Sequence, residues 1–188
     1  MIELKLKLRG IAPLIMQSAV LANPLHPMTK EIKEFTGLAT KTDDDQEHLL
    51  KLKFLASFYW DAKVGPYIPG QNLDRAYFDA AKEMKKGKKF TQYAMIVENK
   101  LPLIYDGPRT PEELYANLNF VDVRPVKIRA SRIQMCRPIF KVWSLDATLA
   151  FNEQLMDERL IRQISSFVGR QGLGTFRRRF GKFEVAIT

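Results

Sequence analysis

Residues 2–9 read Ile-Glu-Leu-Lys-Leu-Lys-Leu-Arg, with apolar and charged side chains in strict alternation. A period of two predicts a strand that buries one side and exposes the other. The far end of the chain repeats the pattern, because Phe183, Val185 and Ile187 alternate with charged neighbours. The chain is therefore predicted to begin and end with a half-buried strand.

Three amphipathic helices are predicted between these strands by apolar side chains at helical spacing. They extend from Thr42 to about Trp60, from Asn72 to about Lys85, and from Asp157 to Gly169. Asp43–Asp45 favour a helix N-terminus over a metal site, because acidic side chains stabilise the first turn. A brief helix is also predicted after the capping box that starts at Thr110.

A long basic strand is predicted at residues 120–136. Its apolar side chains change parity near Ser131, which we interpret as a bulge or bend. Residues 143–151 alternate again and are predicted to pair with it as a hairpin. Residues 14–42 show no clean period and are predicted to form a long loop, since Pro24 and Pro27 exclude a continuous helix.

This order of elements predicts an α+β fold, a ferredoxin-like (RRM-like) antiparallel sheet with inserted helices and a hairpin or thumb. We interpret residues 1–188 as a single domain. A long loop and helical insertion is expected at about 14–70, and a second insertion at about 86–119. Helices on one face of such a sheet leave the other face free, as in folds that bind RNA.

Composition narrows the function. Cys136 is the only cysteine, and there are two histidines, so an internal disulfide, a paired-cysteine zinc site and a multi-histidine site are excluded. We expect no cofactor, no metal and no enzymatic activity. Apolar runs fall short of the ~20 residues of a membrane span. We expect no membrane partner and a cytoplasmic location, in a bacterium, an archaeon or a virus-infected cell.

The net charge of +9 is concentrated in the C-terminal third. Residues 120–188 contain 13 basic and 6 acidic residues, including 10 of the 13 arginines. Arginine binds phosphate in a fork geometry and stacks on bases, so this distribution predicts a polyanionic partner, most simply a nucleic acid. The lysines at 85–89, around Gly87, are instead interpreted as a solvated turn.

The most informative segment is residues 169–183, Gly-Arg-Gln-Gly-Leu-Gly-Thr-Phe-Arg-Arg-Arg-Phe-Gly-Lys-Phe. It holds four of the ten glycines, five basic residues and no acidic residue. It matches neither a Walker loop nor a dinucleotide fingerprint, since it precedes a strand. Glycine and arginine together predict phosphate contacts. The candidate RNA-binding residues are Arg170, Gly172, Gly174, Phe176, Arg177, Arg178, Arg179 and Gly181 in this loop, with Lys127, Arg129 and Arg132 in the basic strand.

This segment resembles the C-terminal glycine-rich loop of the RAMP superfamily, the RNA-binding proteins of CRISPR effector complexes. Residues 10–16, which follow the first strand, also resemble the start of the Cas-seven-like backbone subunits of that superfamily. By position, Gly172, Gly174, Arg177, Arg179 and Gly181 match the glycine-rich loop. The chain would be a minimal or virus-encoded relative.

The resemblance implies a non-enzymatic subunit that binds single-stranded RNA, such as guide-type RNA, without sequence preference. It also implies self-association along the strand into a helix or ring and contacts with other effector subunits. DNA remains an alternative ligand. Family members that cleave target RNA use an aspartate in the loop after strand one, and none precedes Asp43 here.

Two other functions remain open. One is a metal-independent endoribonuclease of the same fold, with His26 as the residue to suspect; neither His26 nor His48 lies in a recognisable site. The other is a viral protein that binds or inhibits a host complex.

Overall fold

The computed structural model describes residues 1–128, 131–177 and 179–188. Within these ranges the chain forms ten strands and six α-helices. The strands are β1 (Ile2–Gly10), β2 (Leu14–Ile15), β3 (Trp60–Asp61), β4 (Gly65–Pro69), β5 (Ala94–Ile96), β6 (Lys100–Pro102), β7 (Val121–Ile128), β8 (Ser131–Phe140), β9 (Ser144–Phe151) and β10 (Phe183–Ile187). The helices are α1 (Pro27–Gly37), α2 (Asp43–Ala56), α3 (Gly70–Glu83), α4 (Gly87–Tyr93), α5 (Pro111–Ala116) and α6 (Glu158–Val168).

The central sheet has the strand order β10-β1-β9-β5, and every neighbouring pair is antiparallel. Numbered in chain order, these four strands follow the 4-1-3-2 order of the ferredoxin-like fold. The alternation of β1 buries Leu4, Leu6 and Leu8. The core includes residues of α3 and α6, which are joined by a 3.0 Å hydrogen bond between Tyr77 Oη and Ser165 Oγ. The predicted α+β fold class is confirmed.

Two smaller sheets flank the central one, with strand orders β2-β8-β7 and β3-β4-β6 in the described residues. The first corrects the strand predicted at residues 120–136. Ile128 pairs with Ser131, so the chain reverses there and forms the hairpin β7–β8. A bulge and a tight turn both change side-chain parity, so the pattern alone could not distinguish them.

The predicted partner of the basic strand was also wrong. β9 pairs with β1 and β5, where it becomes an interior strand of the central sheet. Five consecutive residues at its end, Ala147–Phe151, are buried. This burial is typical of an interior strand and provides the core with Leu149 and Phe151.

The segment predicted as a long loop contains a helix, α1, in addition to a 3₁₀ helix at Ala19–Ala22. Pro27 occupies the first helical position, where a missing N–H costs nothing. Thr29 is the one buried residue of α1. Met28, Ile32 and Phe35 do have helical spacing and are half-buried, but three apolar residues next to Pro24 and Pro27 were too weak a signal to predict the helix.

The helix boundaries separate reliable signals from weak ones. The capping box of Thr42 and Asp45 starts α2, and Asp157 caps α6, as predicted. The predicted start of the second helix at Asn72 was two residues late, since α3 begins at Gly70 after Pro69. The lysine-rich segment is partly helical, because α4 begins at Gly87. No described helix is long and apolar enough to cross a membrane.

Candidate nucleic-acid interface

The glycine-rich loop, residues 169–182, is fixed to the chain that follows β1. The N–H of Gly181 donates to Pro13 O at 2.7 Å, and the N–H of Thr175 donates to Ile15 O at 2.9 Å. Gly181 has a φ of +67°, and a Cβ there would overlap the carbonyl of Leu173. The loop therefore needs glycine at Gly181 for packing, whatever it binds.

The outer side of the same loop carries the predicted basic side chains. Arg170, Arg177 and Arg179 are exposed, while Leu173 is buried beneath them. Arg178 lies outside the described residues. The loop thus separates two roles: Gly172, Leu173 and Gly181 are buried against the protein, and the arginine side chains are exposed.

Two phenylalanines connect the loop to the β7–β8 hairpin. The guanidinium carbon of Arg124, on β7, lies 5.2 Å from the ring centre of Phe176 and 4.7 Å from that of Phe180. That of Arg137, on β8, lies 5.1 Å from Phe176. Phe176 has a φ of +52°, which is strained for a residue with a bulky side chain. Cation–π contacts therefore join the loop and the hairpin into one surface.

The two hairpin arginines differ in their electrostatic environment. Arg124 donates to the carboxylate of Asp122, and this hydrogen bond raises the pKa of Arg124. Arg137 is buried, which lowers its pKa. Its Nε donates to Gln17 Oε1 at 2.5 Å, but its Nη1 finds no hydrogen-bond partner in the described residues. A buried guanidinium with an unused donor adds positive potential next to the loop.

The end of the hairpin is also cationic. Lys127 and Arg132 face each other in the register of β7 and β8, and both are exposed. Like charges directly opposite each other destabilise a strand pair, so an anion between them would stabilise it. Arg129, the third residue predicted here, lies outside the described residues. In sequence, residues 121–140 and 169–182 together contain ten basic residues and one acidic residue, Asp122.

The free face of the central sheet has a different character. Lys7 lies opposite Asp146, and Arg9 lies opposite Glu184, so positive and negative charges alternate across the strands. The described strand residues on this face, which also include Glu3, Lys5, Thr148, Ala150 and Ala186, contain no aromatic side chain. The face therefore lacks the stacking platform of an RNA-recognition motif, and the basic surface lies elsewhere.

A polar cleft of about 160 Å³ separates the loop from α3. It is lined by Gln17, Tyr59, Asn72, Arg75, Gly172, Leu173, Gly174 and Arg177. The sequence did not predict Asn72 or Arg75 as site residues. Arg75 and Asp79 have the i,i+4 spacing of an intrahelical ion pair, and nothing in the sequence indicates that α3 meets the loop.

Neither histidine forms part of a recognisable catalytic cluster. His26 caps α1, since its Nδ1 accepts the N–H of Met28 at 3.3 Å. His48 Nε2 lies 3.0 Å from a carboxylate oxygen of Glu31 on the neighbouring helix. Across the described ranges, no group of three or more His, Cys, Asp or Glu side chains is placed to hold a metal ion.

No family model matches this chain, and no curated protein matches it either. Solved structures do resemble it. One is a chain in the cryo-EM structure of the Type III-B Cmr-beta bound to cognate target RNA, with a TM-score of 0.51 and 12% sequence identity. The match covers 99% of this chain but 60% of the other. This similarity supports the predicted α+β, ferredoxin-like fold. Membership in the RAMP superfamily, and among its Cas-seven-like backbone subunits, stays a prediction.

Proposed function

We propose that this protein is a non-enzymatic subunit that binds single-stranded RNA through its phosphates, with little preference for base sequence. The observation that carries the proposal is the joining of the glycine-rich loop to the β7–β8 hairpin by Arg124, Arg137, Phe176 and Phe180. Two segments that are both rich in arginine thereby become one cationic surface. A phosphate backbone is the polyanion that such a surface fits.

The fold supports the same ligand. The structure of the neighbour named above contains target RNA. The match between the two folds covers 99% of the present chain. We propose that the chain works in a comparable assembly, with copies arranged along the strand and in contact with other effector subunits. The chain matches only 60% of the length of that neighbour, so the neighbour's assembly does not transfer to it directly. Assembly along the strand is therefore part of the proposal.

The test is a double substitution in the loop, Arg177→Ala with Arg179→Ala. We expect RNA affinity to fall about tenfold or more, because two phosphate contacts are lost. The dependence of log affinity on log salt should flatten by about 1.4, at ~0.7 per phosphate contact on a single strand. Fluorescence anisotropy of a labelled single strand over a salt series measures both quantities, and a DNA strand of the same sequence gives the preference for RNA.

The matched control is Lys30→Ala with Lys33→Ala, which removes two exposed charges from α1, a helix that packs on α2 and on the 3₁₀ helix at Ala19–Ala22. Its affinity should stay within about twofold of the wild type, as expected for screened distant charges. If both double variants lose RNA affinity equally, binding depends only on the net charge of the protein, and the loop is not the binding site.

We propose no catalytic role for His26 or His48. Pure protein incubated with RNA in the absence of metal ions should leave the RNA intact; cleavage that disappears in His26→Ala would establish the endoribonuclease function instead. The inhibitory function would be favoured by protein that purifies without nucleic acid and does not bind it.

A further inference from the structure

The polar cleft between the glycine-rich loop and α3 has the chemistry of an anion site. Among the described residues, the N–H groups of Gly172 and Gly174 have no hydrogen-bond partner, although Leu173 and Thr175 beside them donate to backbone carbonyls. Both glycines line the cleft. Two backbone donors without a partner in the described residues therefore belong to glycines that line the same cleft.

The side chains of the cleft add further donors. Arg75 on α3 and Arg177 on the loop both line it, and so does Asn72, whose side-chain amide makes no hydrogen bond in the described residues. The other two polar side chains are already engaged: Tyr59 Oη donates to Gln17 O, and Gln17 Oε1 accepts from Arg137. Within the part of the chain that the structure describes, no carboxylate lines the cleft. Two guanidinium groups with amide donors form the environment that a phosphate requires.

Asp79 currently holds both arginines. Its carboxylate lies 3.0 Å from Arg75 Nη2 and 3.6 Å from Arg177 Nη1, and it faces the neighbouring cleft of about 530 Å³. A carboxylate that accepts from Arg75 and forms an ion pair with Arg177 competes with a phosphate oxygen for the same two guanidinium groups. Since Arg177 lines both clefts, a small rotation of its side chain would move it from Asp79 into the polar cleft.

We propose that the cleft lined by Asn72, Arg75, Gly172, Gly174 and Arg177 is a phosphate site, and that Asp79 is the internal anion which a phosphate of the bound strand displaces. The inference rests on the proposed function and adds to it a defined subsite and a residue that limits affinity. The ligand is a nucleic-acid phosphate group, either between nucleotides or at a strand end.

The test is Asp79→Asn, which keeps the shape of the side chain and removes its charge. RNA affinity should rise about two- to fivefold, the scale of one exposed ion pair. The matched control is Glu83→Gln, one turn further along α3. Its carboxylate accepts from Gln171 Nε2 at 2.7 Å and contacts no arginine in the described residues. Glu83→Gln removes the same charge near the loop without releasing an arginine. Its gain in RNA affinity should therefore be clearly smaller than that of Asp79→Asn.

A double-mutant cycle separates release of Arg177 from simple charge. In an Arg177→Ala background, the gain from Asp79→Asn should fall by at least half. A gain that stays the same in that background, or that Glu83→Gln reproduces, would overturn the inference. A second variant, Asn72→Ala, removes a donor from the cleft itself and should weaken binding about threefold; unchanged binding would count against the site.

Oligonucleotides with a 5′-hydroxyl and with a 5′-phosphate distinguish the two sources of phosphate. If Asp79→Asn raises the affinity for both strands equally, the site binds an internucleotide phosphate. If it raises the affinity for the phosphorylated strand alone, the site binds a terminal phosphate. If the loop double variant Arg177→Ala with Arg179→Ala binds RNA normally, the proposed function fails. If that variant loses binding but the cycle shows no coupling, only the present inference fails.

Discussion

The glycine-rich loop and the β7–β8 hairpin are similar in charge but are supported in different ways. Backbone hydrogen bonds to Pro13 and Ile15 fix the loop, and buried Leu173 anchors it. The hairpin is held by its own strand ladder, and its strand β8 packs on α2, where Lys53 Nζ donates to Gln134 O at 2.7 Å. Glycine in a basic segment can therefore serve packing first, whereas exposed charge on a strand pair has no structural benefit.

The largest expected effect is on stability, and it tests the structural role of the loop separately from its charge. Gly181→Ala introduces a Cβ that overlaps the Leu173 carbonyl, at a φ that alanine disfavours. We expect the free energy of unfolding to fall by about 3 kcal/mol or more, measured by denaturant titration. Gly37→Ala is the control, because a Cβ there meets nothing within 4 Å. An unchanged stability for Gly181→Ala would show that the loop does not pack as described.

The base of the hairpin should show a pH dependence. Burial raises the pKa of the Cys136 thiol from its ordinary 9.0 to about 11. The unfolded chain releases this proton near pH 9 and the folded chain near pH 11, so the folded state loses stability as pH rises through that window. Each pKa unit corresponds to about 1.4 kcal/mol, and we expect a loss of up to about 2 kcal/mol.

Cys136→Ala provides the comparison for this measurement. Its unfolding free energy is expected to be lower overall but to decline less between pH 9 and 11, because the buried thiol is gone. Parallel pH curves for the two proteins would mean that Cys136 does not titrate differently on unfolding.

The smallest effect should fall on the hairpin's charged end. Lys127→Ala with Arg132→Ala should weaken RNA binding about tenfold, or about 1.4 kcal/mol, while leaving the melting temperature unchanged or slightly higher. The double substitution thus lowers RNA affinity, because a ligand contact is lost, but does not lower thermal stability, because a repulsion is also lost. The matched pair Lys7→Ala with Arg9→Ala, on the free sheet face, should change affinity less than threefold. If the sheet-face pair had the larger effect, RNA would bind on the central sheet.

Local signals in the sequence were sufficient to predict the first strand and the starts of two helices. The alternation at residues 2–9 predicted β1, and the capping residues Thr42 and Asp157 predicted the starts of α2 and α6, because caps and periods act within a few residues. The sequence also located the arginine-rich loop before the last strand, and the structure shows Arg170, Arg177 and Arg179 exposed there.

Contacts between distant segments required the tertiary structure. A change of parity near Ser131 fits a bulge or a turn equally well, and only the pairing of Ile128 with Ser131 decided between them. The alternation of β9 did not reveal its partners. The approach of Asn72 and Arg75 to the loop, and of Arg124 to Phe176, depends on packing between elements about 50 to 100 residues apart in the chain. Amino-acid order fixes local conformation and charge, but which charges share a surface is determined by how the sheet and helices assemble.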